Sequence, residues 1–277
     1  MKKKILKISA LVVAVLLIAG VCWFANSLIG NPISKALAKN TAEKYLAETY
    51  GDTDYELTDV SYSFKDGYYY AHISSKSSID TNFSLLINGF GKLRFDYYEN
   101  NVTSGWNTAR RLDMEYRNAV DIIIDSKNFP YSKSIAFGEL VFVASEDKEM
   151  RDVPDYALIT NELTLDAYYN VNELGARSGK LTLYIYDTNV SAERMSEILL
   201  GIRRCFDDSG LGFYAIDCVL EHPRDENGFS EDGQIEVMDF LYSDIHEDGL
   251  VERVMEADKA AKDHYYTLDS EKLDEIN

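Results

Sequence analysis

The chain is short of the residues most reaction chemistry draws on. Of its 277 residues only three are cysteine, four are proline and four are histidine. His72, His222, His246 and His264 are scattered along the sequence and none forms a His-Glu-x-x-His pair, so the commonest zinc-hydrolase arrangement has no support. No Gly-x-Ser-x-Gly elbow and no phosphate-cradling glycine loop occurs, which removes two further signatures of hydrolases and nucleotide enzymes. Four prolines exclude a Pro-rich stalk, and no internal repeat or low-complexity tract is present.

What is there begins at the N-terminus. Lys2, Lys3, Lys4 and Lys7 precede an apolar run over residues 8–29, long enough as a helix to cross a hydrocarbon core about 30 Å thick. The lysines place residues 1–7 in the cytoplasm by the positive-inside bias, and the rest of the chain outside. A cleaved signal peptide would share the basic start and could end at Ala25-Asn26-Ser27, but its apolar core is usually shorter. A lipoprotein reading at Cys22 fails on the bulky Val21 before it. The expected localisation is the cell membrane, with a single pass and the bulk of the chain extracellular.

Removing those four lysines from 28 basic residues leaves 24 against 47 acidic ones, so the part beyond the span carries a net −23. A field of that sign repels nucleic acid and anionic lipid, so no nucleic-acid partner is expected. Outside the run, only Cys205 and Cys218 remain. An even count invites a disulfide, but Cys205 falls near the end of an expected helix and Cys218 well into the strand after it, too far apart for a bridge. Both read as small buried apolar residues.

Pattern then gives the elements. Gly30-Asn31-Pro32 suggests a flexible joint, an Asn cap and a Pro at the first helical position, opening a helix over 32–50 with Gly51 as a left-handed cap. Segments 57–64 and 68–75, then 82–87 and 92–97, read as two hairpins. A helical stripe from Trp106 through Leu112, Tyr116, Val120 and Ile123 ends at Asn128-Phe129-Pro130, where a domain boundary is placed. Beyond it, 135–143 reads as a strand, 158–174 is ambiguous, and 181–186 is a strand. Ser191 caps a helix that Gly210 stops, 213–220 and 235–241 are strands, and a last helix begins at Leu250.

The expected class is therefore α+β. One transmembrane helix (8–29) is followed by an N-terminal extracytoplasmic domain (31–128) and a C-terminal one (129–277). Each is an antiparallel sheet with packed helices, and the second could close as a permuted ferredoxin-like sandwich.

The segment Gly30-Asn31-Pro32-Ile33-Ser34-Lys35-Ala36-Leu37 directly after the span resembles the YfjL-like family of Gram-positive bacteria. Trp106-Asn107-Thr108 with Arg110, Arg111 and Leu112, then Leu181-Thr182-Leu183-Tyr184 and Phe213-Tyr214-Ala215-Ile216-Asp217, carry the same likeness along the whole chain. The resemblance implies a membrane-anchored two-domain protein of a family with no assigned activity, and so no catalytic residue to carry over.

Two acidic loops are candidates for a cation. The segment 244–249 imitates the start of an EF-hand, with Asp244 first, Asp248 fifth and Gly249 sixth, but His246 and Met255 stand where oxygen donors are needed. Capping of the last helix by Asp248 is the simpler reading. The second loop carries Asp225, Glu231 and Asp232 between two strands, where a solvated turn explains the acids equally well. The aromatic clusters Tyr68-Tyr69-Tyr70, Tyr97-Tyr98 and Tyr168-Tyr169 could form a binding surface, but neighbours on a strand point to opposite faces.

No cofactor is expected and catalytic residues stay unknown. The preferred function is a non-enzymatic module that binds the bilayer through 8–29 and an envelope protein or cell-wall component outside. The alternatives are a cell-envelope hydrolase using Asp and Glu residues the sequence does not place, and a Ca²⁺-binding sensor.

Overall fold

The computed structural model describes the backbone of residues 2–150, 153–225 and 233–276, and the side chains of 11–21, 24–150, 153–225 and 233–263. Its elements in chain order are α1 (Lys2–Ile29), α2 (Pro32–Thr49), β1 (Glu56–Ser63), β2 (Tyr68–Ser74), β3 (Asn82–Ile87), β4 (Leu93–Asp96), α3 (Trp106–Ile124), β5 (Ser132–Leu140), β6 (Phe142–Val143), β7 (Leu158–Ile159), α4 (Val171–Ser178), β8 (Gly179–Tyr186), α5 (Ala192–Ser209), β9 (Ala215–Glu221), β10 (Gln234–Leu241) and α6 (Leu250–Ile276). The α+β class is as expected: one long apolar N-terminal helix and two sheet-and-helix units. By contacts the chain divides into residues 1–108 with 164–166, and 109–163 with 167–277. The division falls at the start of α3, earlier than the turn at Asn128-Phe129-Pro130, because Leu112, Tyr116, Val120 and Ile123 all pack into the second core.

In the first unit β1 to β4 form an antiparallel meander in chain order. Alternation along β2 sends Tyr69, Ala71 and Ile73 inward, where they meet Phe83, Leu85 and Ile87 of β3 and the Ala38, Ala42 and Leu46 stripe of α2. Small alanines on that stripe let the helix sit close to the sheet. Asn31 caps α2 by accepting from the Ser34 N–H at 2.8 Å, and Pro32 occupies the first turn.

One expectation fails here. Gly51 is not left-handed: α2 ends at Tyr50, whose N–H reaches the Leu46 carbonyl, and a Cβ on Gly51 would lie 2.6 Å from the Ala47 carbonyl oxygen. Glycine is needed there for close approach, not for a positive φ. The joint at Gly30 is a turn held by hydrogen bonds with Tyr62 and Tyr69.

The first turn of α3 explains the Trp106-Asn107-Thr108 segment. The Asn107 amide donates to the carbonyls of Asp80 (2.8 Å) and Asn82 (2.6 Å), and the Thr108 hydroxyl donates to the buried Asp80 carboxylate at 2.9 Å. Asp166, at φ 59, completes the arrangement: its N–H donates to Asp80 and its carboxylate accepts the Asp80 N–H, each at 2.9 Å. A buried carboxylate is tolerable only with such partners.

In the second unit the sheet order is β10-β9-β8-β5, with β8 and β9 parallel and both edges antiparallel. A ferredoxin-like sheet is antiparallel between all its neighbouring strands and interleaves its connections, whereas β8 and β9 pair in parallel. Here the strands are laid down in chain order with α5 joining the two central ones, so that closure is not the one formed. Expected strand 135–143 is split, β5 ending at Leu140 and β6 pairing separately with β7.

Ser191 caps α5, and Gly210 ends it in the left-handed region at φ 69. Its stripe of Met195, Ile198, Leu199, Ile202 and Phe206 is fully buried on Leu181, Leu183 and Ile185 of β8 and on Ile216, Cys218 and Leu220 of β9. At roughly 1.5–3 kcal/mol per large apolar side chain, this stripe outweighs any contribution from helix propensity. Cys205 and Cys218 are both free thiols, and burial pushes each up, Cys218 to about 12.

Candidate functional site

The junction between α1 and α2 is built from two strands far away in sequence. Gly30 adopts φ +71, and an added Cβ would lie 2.8 Å from both the Tyr62 ring and the Tyr69 hydroxyl. The Tyr69 hydroxyl accepts the Asn31 N–H at 2.9 Å and reaches the Asn31 carbonyl at 3.3 Å, while Tyr62 donates to the Ser27 carbonyl at 3.1 Å. Tyr62 and Tyr69 are register partners on β1 and β2, with rings 5.0 Å apart. The chain therefore passes from the apolar helix into the sheet unit through a gripped turn. Sequence alone shows the glycine but not the tyrosines that enclose it.

The EF-hand-like loop holds a cation, but one of its own. The guanidinium of Arg253, from the first turn of α6, donates to the carbonyls of Asp244 (3.0 Å), His246 (2.8 Å) and Asp248 (2.8 Å). Arg203 of α5 donates to the Ile245 carbonyl, and its guanidinium lies 4.3 Å from the centre of the Tyr242 ring. Gly249 at φ +64, not Asp248, stands immediately before α6, and its carbonyl accepts the Arg253 N–H at 3.2 Å. The loop carbonyls that could have faced a metal point at arginine instead. Replacing Arg253 by Leu is expected to destabilise the second unit by about 1–3 kcal/mol, since several carbonyls lose a charged donor. The check is faster hydrogen exchange confined to residues 242–250.

Of the second acidic loop, Asp225 is described and takes part in a polar contact. Glu231 and Asp232 lie outside the described residues. Among the described residues no group of three or more His, Cys, Asp or Glu converges as metal ligands would.

Half-buried charge does converge on the sheet face of the second unit opposite α5. Lys180 on β8 lies 2.9 Å from Asp217 on β9 and 2.7 Å from Asp239 on β10, and Tyr156 donates to Asp239 at 2.8 Å. Asp239 has φ 46 at the irregularity between Val237 and Phe240, which turns its N–H onto Asp217 at 2.7 Å. Burial opposes the charge on Lys180, yet the bonds to Asp239 and Asp217 hold its pKa above the usual value. Burial likewise opposes ionised Asp239, and Lys180 and Tyr156 hold its pKa below the usual carboxylate range.

These are the shifts of a closed ion-pair network, opposite to those of a poised base or acid. Asp239 contributes stability above its unfolded pKa of about 3.9, lost as pH falls through its lower folded value. Lys180 contributes below about 10.4, lost as pH rises through its higher folded value. Lys180→Ala is expected to cost about 1–2 kcal/mol at pH 7, discounted because Asp239 is half exposed, and calorimetry across that window checks it.

Glu139, across β5 from Lys180, is shifted the other way: burial and the neighbouring Asp113 raise it. A raised carboxyl contributes stability below its unfolded pKa of about 4.3 that is lost as pH rises through the folded value. Glu139→Gln should therefore melt above the wild-type chain at pH 7, with the difference vanishing below about pH 4, as paired thermal scans would show.

An apolar cleft of ≈ 420 Å³ opens beside the end of α5, lined by Phe206, Leu211, Phe213, Tyr214, Leu241 and Tyr242. Its one carboxylate, Asp207, accepts the Tyr242 hydroxyl at 2.7 Å. A pair of carboxyls for glycan cleavage is not present in its lining. On β2 the tyrosines alternate as expected: Tyr69 is buried, while Tyr68 and Tyr70 face away from the core.

Residues 2–104 match the model described as YfjL-like, N-terminal domain, and residues 115–255 match YfjL-like C-terminal domain. The chain belongs to the YfjL-like family. No curated protein and no solved structure matches it. The two YfjL-like segments follow the two compact units closely. The family's N-terminal model takes in the apolar helix together with the meander that grips Gly30.

Proposed function

We propose that this YfjL-like protein is a single-pass, membrane-anchored extracytoplasmic module of a Gram-positive envelope that acts by binding and not by catalysis. Residues 1–7 are cytoplasmic, 8–29 span the bilayer, and both units lie outside, engaging an envelope protein or cell-wall component. The observation that carries the reading is the joint, where a helix apolar enough to cross a membrane is continued within two residues by a folded unit that encloses the turn. The four lysines directly before the helix support the orientation. In the second unit Lys180, Asp217 and Asp239 neutralise one another, which supports binding over chemistry at that cluster.

Two measurements test this. Protease added to intact wall-stripped cells should degrade both units and spare a tag on the N-terminus; a protected C-terminal unit overturns the orientation. Proximity labelling from the C-terminal unit in the native membrane should return the same envelope neighbours reproducibly, and no reproducible neighbour overturns the binding role.

A further inference from the structure

Taking the membrane anchor proposed above as given, we infer that the anchor-side end of the first unit is a lipid-contacting footprint, which seats the turns of both hairpins in the outer headgroup region. Tyr69 pairs with Tyr62 on one side and Ile87 on the other. The turn after Ser63 and the turn after Ile87 therefore leave the sheet at the end where Gly30 and Asn31 are held. The second turn lies along the start of α2: a Cβ on Gly89 would be 3.6 Å from the Ser34 hydroxyl, one on Gly91 3.0 Å from Leu37, and the Gly91 carbonyl accepts from Thr41 at 2.6 Å.

That end is apolar where water would face it. Phe90 at the tip of one turn is 91% exposed, Phe64 at the other 63%, Ile33 on the first turn of α2 75%, and Leu37 43%. The opposite end, in the loop joining β2 to β3, exposes one large apolar side chain, Ile79. Charge separates the two ends as well. Segments 28–37, 62–69 and 86–94 carry Lys35, Lys65, Lys92 and Arg94 against Asp66, in a chain whose remainder beyond the span is strongly acidic. Lys35 is paired with Asp59 of β1 at 3.5 Å, so the contrast rests on Lys65, Lys92 and Arg94.

Exposed aromatic and aliphatic tips interleaved with lysines are the pattern of an interfacial contact, rings at the acyl boundary and ammonium groups among the phosphates. The occupant follows from continuity: these tips surround a turn only two residues beyond the apolar helix, so the surface next to them is the bilayer. A second copy or a soluble partner would have to displace lipid to reach them.

Nitroxide labels decide the matter on the full-length chain. In a background of C22A and C205A, reconstituted in phosphatidylcholine–phosphatidylglycerol vesicles, the label is placed by F64C, F90C or, at the opposite end, I79C. Collisions with dissolved oxygen and with a water-soluble nickel chelate are then compared. Labels at 64 and 90 should collide with nickel several-fold less often than the label at 79, and more often with oxygen.

Equal nickel accessibility at all three sites in a chain that resists carbonate extraction overturns the footprint and leaves the anchor standing. A chain stripped off by carbonate overturns the anchor reading and the footprint with it. Spectral broadening at 90 that disappears on dilution with unlabelled chain assigns the patch to a second copy and overturns lipid contact. The double variant F64S/F90S, which removes only exposed rings and should keep its fold, is expected to lose the nickel protection of a label placed by I33C.

Discussion

Tyr116→Ala is expected to cost the second unit about 3–5 kcal/mol, the usual range for deleting a fully buried aromatic ring. Tyr116 projects from the middle of α3 with no exposed surface, and its hydroxyl donates to the Gly212 carbonyl at 3.0 Å. The slot around it is made of glycine. Side chains at Gly175 or Gly179 would collide with the Tyr116 ring or its hydroxyl, and one at Gly212 would lie 2.7 Å from Ala176. Burial pushes the phenol well above its usual pKa, so the hydroxyl keeps the proton it donates to Gly212.

A domain of this size is stable by roughly 5–15 kcal/mol, so the substitution removes a large share of the total. The measurement is the urea midpoint of the second unit, followed by exchange of amides in β8 and β9. Tyr116→Phe separates the two contributions: it keeps the ring and leaves the Gly212 carbonyl without its donor, for about 1–2 kcal/mol. Equal costs for Ala and Phe would show that the hydrogen bond, not the packing, holds α3 to the unit.

Local signals were legible where one short segment contains its own cause. Asn31 with Pro32 and Ser191 with Gly210 mark helix ends because each cap acts within three or four residues. The piece over 158–174 is ambiguous in sequence because β7 is two residues long and α4 eight, too short for either period to declare itself. Strand order in the second unit was not legible, since alternation along a strand says which face is buried and nothing about its neighbour.

The site-level misses share another cause. Arg253 lies outside the loop it fills, so the loop read as an incomplete metal site; a cation a few residues past a run of acids was the available signal. Asn107 and Thr108 stood as polar residues at the head of an apolar stripe, and that departure marked the buried Asp80 they serve.

Gly30→Val is expected to cost the first unit about 2–5 kcal/mol, combining about 1–2 kcal/mol for a left-handed residue with a Cβ and about 1–3 for overpacking. The two contributions can be separated inside the same unit. Gly67 has nearly the same backbone, φ +74 against +71, but a Cβ there meets nothing within 4 Å. Gly67→Ala should therefore lose only the backbone part, and Gly30→Ala should lose that plus the clash with Tyr62 and Tyr69. Thermal unfolding of the full-length chain in vesicles gives the difference, and exchange of the Asn31 amide, which donates to Tyr69, reports whether the turn itself has opened. A marked excess at Gly30 means the unit is held at a fixed angle to its anchor, the condition for any surface of the unit to be presented reproducibly to the membrane or to a partner in its plane. Equal losses at the two glycines would mean that the tyrosines yield, leaving the unit to swing on its tether.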